Sequence, residues 1–175
     1  MLKSLGENQI VRFLFKAALF YIIWLLIYYL LIKPYTHWDY QLNYNIAVFS
    51  REIFSLFNII THIDVESDSV VLLLDAGNYK GIWIGSECNG FKLFSIFTIF
   101  ILAFPGKKRK KLWYIPMGLA IIHLANIIRV MALLLINNYY PSFMDFNHLY
   151  TFTVFVYGII FLLWYLWAKN LSTDA

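Results

Sequence analysis

Four apolar runs dominate this chain, at roughly residues 12–32, 89–104, 113–136 and 148–168. A helix needs about 20 apolar residues to cross the hydrocarbon core of a bilayer, and runs of this length and number constrain the fold more than any other feature. Composition agrees: 61% of the 175 residues are hydrophobic, 20% aromatic and 14% charged, far from a soluble balance. The second run carries Lys92 near its start, which snorkels to the interface if that run is a span. Lys3, Arg12 and Lys16 precede or open the first run, as in a signal peptide, but its apolar stretch is too long and no small-residue cleavage site follows. The chain therefore reads as an all-α integral membrane protein, one polytopic membrane domain over residues 1–175 with about four transmembrane helices.

Orientation follows from five consecutive basic residues, Lys107 to Lys111, in a tight loop between spans, since short cytoplasmic loops concentrate Lys and Arg. With four spans, the basic N-terminal residues and Lys169 fall on the same side, so both termini are expected in the cytoplasm. The net charge of +4 is thereby accounted for, and no nucleic-acid partner is expected.

Residues 33–87 then form an outer region. Within 42–60, Ile46, Phe49, Ile53, Phe54, Phe57 and Ile60 recur at helical spacing, as in an amphipathic helix lying on the membrane surface. A fifth span is the rival reading, and Arg51 and Glu52 in its middle argue against it. Residues 68–85 read as a short β-hairpin, with "SVVLLLD" and "YKGIWIG" joined around "AGN".

That hairpin delivers the chain to Cys88, the only cysteine, at the outer end of the second run. A lone Cys makes no intramolecular disulfide and no CxxC motif. At a helix N-terminus the free N–H groups and the dipole favour a thiolate, and Lys92, one turn on, would add positive charge. The plain alternative is a small buried apolar residue. Arg129 weighs against it: an arginine inside the third run, about 10 Å below the outer surface at 1.5 Å per residue, is expensive unless it meets a partner or cavity. Its own plain alternative is snorkelling to headgroups. Asn126, three residues earlier, is placed to hold the guanidinium or a substrate carbonyl. His148 opens the fourth run, with Asp145 or Asn147 as the expected N-cap, where a neutral ring can act as a base near pH 7. His123 lies deeper and suits a structural interhelical bond, and His37 and His62 have no evident companions. A thiolate attacks a peptide carbonyl, a histidine takes and returns the proton, and an arginine stabilises the oxyanion.

These residues resemble the exosortase/archaeosortase family of membrane cysteine transpeptidases, specifically its compact bacterial branch. The likeness lies in "ECNGFKLF", "ANIIRVMAL" and "NHLYTF", in that order, over roughly residues 68–168. It implies Cys88, Arg129 and His148 as catalytic residues, with Asn126, Gly90 and Lys92 in support. Asn89 stands where Ser is more often expected, and four spans are fewer than many members have. The implied substrates are exported proteins ending in a short sorting motif, a membrane helix and a basic tail. They would be cleaved at the periplasmic face of the bacterial inner membrane through a Cys thioester, then released to water or an acceptor. A small membrane protein that completes the site is a further candidate partner, beside the lipid bilayer itself. No metal or organic cofactor is implied. The competing function is a noncatalytic membrane adaptor or assembly factor whose aromatic faces bind partner helices.

Overall fold

The structure, a computed structural model, describes residues 7–66, 69–75, 81–86 and 88–171. Helix α1 (Glu7–Ile27) runs through a π-helical turn (Tyr28–Ile32) into Lys33–Tyr35, and α2 spans Trp38–Leu56. Three strands follow, β1 (Thr61–Glu66), β2 (Ser69–Leu74) and β3 (Gly81–Ile84). Then come α3 (Phe91–Ala103) and α4 (Lys108–Tyr139). The last helical run climbs through Pro141–Phe143, Met144–Phe146 and a π-helical turn (Asn147–Thr151) into α5 (Phe152–Leu166) and a final turn (Trp167–Leu171).

Among the described residues, three helical stretches are long and apolar enough to cross a membrane: Gln9–Tyr35, Lys108–Tyr139 and Pro141–Lys169. The second apolar run, 89–104, forms α3, whose 13 residues rise about 20 Å, short of the ~30 Å hydrocarbon core. The architecture is thus helical and membrane-embedded with one small antiparallel sheet, as the apolar runs require.

Packing divides the chain into two compact units, one drawn from Met1–Tyr35, Lys92–Ile122 and Gly158–Ala175, the other from Thr36–Phe91 and His123–Tyr157. In the first, aromatic rings mediate the helix contacts. Phe100 stacks on Trp164 with centroids 4.3 Å apart, Phe13 meets Phe100 and Phe104 edge-on, and the Tyr114 hydroxyl donates to the Leu163 carbonyl at 2.7 Å. Gly118 lets the Phe97 ring lie directly on the α4 backbone, where any Cβ would collide with it. Lys111 donates to the carbonyls of Leu102 (2.9 Å) and Phe104 (2.7 Å), filling acceptors that the end of α3 leaves without helical donors.

The second unit is built on the sheet, in the order β1-β2-β3. Both pairings are antiparallel, with Ile63 opposite Leu72 and Leu72 opposite Ile82. Strand alternation sends Val70, Leu72, Leu74, Ile82 and Ile84 to one face. There they meet Ile46, Ala47 and Phe54 of α2 and Ile127, Val130, Leu133 and Leu134 of α4, a stripe at helical spacing. The hairpin of β2 and β3 falls where the alternation places it, while its expected turn lies outside the described residues. Strand β1 is an addition to that reading. Its sequence THIDVE alternates Thr61, Ile63 and Val65 with His62, Asp64 and Glu66, the period-two pattern of a strand with one polar face. His62 has a companion after all, Asp75 at 3.6 Å.

Helix α2 corrects the expected 42–60 stripe. The buried positions are Asn43, Ile46, Ala47, Ser50 and Phe54, whereas Phe49, Phe57 and Ile60 are exposed. The helix ends earlier because Asn58 adopts φ 59° and the chain reverses: Asn58 N–H donates to Ser55 O and Ile59 N–H to Phe54 O, both at 3.0 Å. That bond pair is the Schellman stop, and it folds Ile59 back onto the core instead of extending the stripe. Arg51 and Glu52 are exposed and pair with each other at 2.9 Å.

Candidate active site

Asp39, Cys88, Asn89, Gly90, Asn126, Arg129 and His148 all belong to the second unit. After β3, the Cys88 N–H donates to the Gly85 carbonyl at 2.8 Å, closing a turn that brings the thiol up just before α3. Asn89 is fully buried and secures that turn twice. Its Oδ1 accepts from the Phe91 N–H at 2.9 Å, capping α3, and its Nδ2 donates to Asp39 Oδ1, in the first turn of α2, at 2.7 Å. An amide is suited to this position because it accepts and donates through different atoms. Gly90 follows at φ +80°, a conformation that favours glycine. A Cβ there would also stand 3.6 Å from the Asn126 amide.

From α4, Asn126 Nδ2 donates to the Cys88 carbonyl at 2.6 Å. One turn further, Arg129 is only 8% exposed, so it does not snorkel out. Its Nη2 lies 3.5 Å from His148 Nε2. Among the described residues no carboxylate is within salt-bridge distance of this guanidinium, and its Nε has no hydrogen-bond partner. A buried cation without a counter-charge is costly, and such groups mark places where an anion or dipole is received. His148 Nε2 also lies 3.4 Å from Cys88 Sγ, and the half-buried thiol is not part of a disulfide.

One imidazole nitrogen therefore faces both a thiol and a guanidinium. Arginine only donates, so in the resting arrangement Nε2 is the acceptor and the ring proton sits on Nδ1. When the thiol proton moves to Nε2, the imidazolium donates to the thiolate, and the guanidinium is left to satisfy a new acceptor.

The expected N-cap at His148 is not found. The helical run already starts at Pro141, Phe143 and Phe146 make no side-chain cap, and Asn147 Nδ2 donates back to the Phe143 carbonyl at 2.9 Å. Asp145 and Asn147 are thus inside the run, and the helix-terminus argument for the ring falls away. What sets His148 apart instead is its π-helical turn, closed by the Phe152 N–H on the Asn147 carbonyl. Such turns occur often at functional sites.

Cys88, Arg129, His148, Asn126 and Gly90 are thus brought together. Lys92 is exposed in the first turn of α3, and Glu87 lies outside the described residues. His123 makes the interhelical bond its depth suggests, with Nε2 2.9 Å from Asn45 Oδ1 of α2. Sequence reasoning missed Asp39, which carries no local signal, and the role of Asn89, which its place before an apolar run does signal. Among the described residues no three His, Cys, Asp or Glu side chains cluster as metal ligands.

A polytopic helical membrane protein with a thiol, an imidazole and a buried guanidinium within reach of one another belongs to a narrow class. The family model for transmembrane exosortases matches residues 5–166, and the chain belongs to that family. No curated protein and no solved structure matches it.

Proposed function

We propose that the protein is a membrane cysteine peptidase or transpeptidase that cleaves C-terminal sorting signals of exported proteins at the outer face of the bacterial inner membrane. The observation that carries this reading is the 3.4 Å approach of Cys88 Sγ to His148 Nε2, with Arg129 at the same nitrogen. Sγ attacks the scissile carbonyl carbon as its proton passes to His148 Nε2, and the oxyanion forms against Arg129. Collapse breaks the C–N bond, His148 returns the proton to the leaving amine, and a thioester remains on Cys88. Water, an amine or a hydroxyl then attacks the thioester, loses its proton to His148 and expels the thiolate.

Orientation rests on Lys107–Lys111, which holds the start of α4 in the cytoplasm, so that the helix runs outward past Arg129. The substrates are exported proteins with a short motif, a membrane helix and a basic tail. The test is processing of such a C-terminally anchored protein in cells carrying wild type, Cys88→Ala, Arg129→Ala or His148→Ala at matched membrane abundance, with mass spectrometry of the released end. Cleavage is abolished by Cys88→Ala and falls roughly 10²-fold or more for the other two. Normal processing by Cys88→Ala would leave the adaptor reading in its place.

A further inference from the structure

The side-chain amide of Asn126 has a fixed orientation. Nδ2 donates to the Cys88 carbonyl at 2.6 Å, and a flipped amide would set two oxygens against each other. Its Oδ1 is therefore the free end, fully buried, and without a hydrogen-bond partner among the described residues. A buried acceptor left without a donor is destabilising unless something fills it. One helical turn along α4, Arg129 carries the complementary group, a buried Nε–H without an acceptor among the described residues. Acceptor and donor are separated by three residues, a rise of about 4.5 Å.

An extended peptide residue carries the matching pair. Its N–H and C=O point to the same edge, which is how one residue exchanges both bonds with a strand opposite. We propose that Asn126 is a substrate-binding residue: Oδ1 accepts the backbone N–H of the residue whose carbonyl is attacked, while Arg129 receives that carbonyl as it becomes the oxyanion. This inference rests on the peptidase reading above. The same amide thus holds the nucleophile's own carbonyl on Nδ2 and the substrate on Oδ1, which sets the register between Cys88 Sγ and the scissile carbon. The ligand class is an extended backbone, independent of side chain.

The test is a double perturbation in purified full-length protein in lipid nanodiscs. The probes are a synthetic peptide spanning a cleavage site mapped in a processed exported protein, and its analogue in which the attacked residue's N–H is replaced by an ester oxygen. Wild type is expected to cleave the ester analogue roughly tenfold to a hundredfold more slowly in kcat/KM. Asn126→Ala slows the normal peptide and shows no further loss on the analogue. Asn126→Ser, a small polar substitution that also removes the amide oxygen, does the same and serves if the alanine variant does not accumulate. An equal analogue penalty in wild type and variants, or none in wild type, overturns the proposal and leaves Asn126 as a tether of the Cys88 turn alone. Cleavage of the normal peptide by Cys88→Ala would instead overturn the peptidase reading itself.

Discussion

The two units of the molecule are held by different forces. In the one containing α1, large rings touch in pairs, Phe100 on Trp164 and Tyr114 beside Trp167, while Val11, Phe15, Leu26 and many other apolar side chains of α1 stay exposed. In lipid, apolar exposure costs nothing, so packing and interhelical contacts decide where helices meet. The unit containing the sheet has a closed apolar core of strand and helix residues, and against it sits a set of buried polar groups, Asn89, Asn126 and Arg129. Of these three, Asn89 has partners at both ends of its amide, while Asn126 and Arg129 each leave one buried atom without a partner among the described residues. One unit is held mainly by ring contacts and a few side-chain bonds to carbonyls, and the other adds a closed apolar core with buried polar groups against it.

Four substitutions sharpen that contrast, in descending effect. Cys88→Ala is expected to abolish processing while leaving thermal unfolding in detergent unchanged, since a half-buried thiol contributes little packing; a large drop in melting temperature would mean the residue is structural. Phe54→Ala, which empties a fully buried site between α2 and the sheet, should cost about 3–5 kcal/mol, read as lost melting temperature and membrane abundance. Asp39→Ala leaves the buried Asn89 Nδ2 without its acceptor and is expected to destabilise by about 1–3 kcal/mol and slow processing, with Asp39→Asn restoring most of both because it keeps an acceptor oxygen. Lys111→Met removes the donor to the Leu102 and Phe104 carbonyls and should cost about 1 kcal/mol, whereas Lys108→Met in the same basic run costs nothing measurable. Equal effects of those two would make the run a topology signal alone.

Much of the fold was legible because its signals are local. The apolar runs read as helices, "SVVLLLD" and "YKGIWIG" around "AGN" read as a hairpin, and the depth of His123 suggested its bond to another helix. Strand β1 was legible too, in the alternation of THIDVE, but His62, Asp64 and Glu66 at alternate positions hid it behind a loop-like composition. The end of α2 was not, since it depends on Asn58 entering the left-handed region, which a hydrophobic stripe does not record. The cap at Asp145 or Asn147 failed for a related reason: capping residues are read from sequence by type, while the helix had already begun at Pro141 on backbone geometry alone.

At the site, residue types were enough to single out Cys88, Arg129 and His148, because a lone thiol, an intramembrane arginine and a histidine at the head of an apolar run are each unusual. By itself the sequence determined a multi-helix membrane protein with a small sheet, a basic loop and three reactive side chains on separate segments, since hydropathy and periodicity act over a few residues. Only the tertiary structure decided that His148 Nε2 faces both Cys88 and Arg129, that Arg129 is buried without a carboxylate among the described residues, and that Asn89 and Asn126 fasten the Cys88 turn from α2 and α4. Hydrogen bonds between residues 19 to 60 apart in the chain depend on distances and directions that no local pattern encodes.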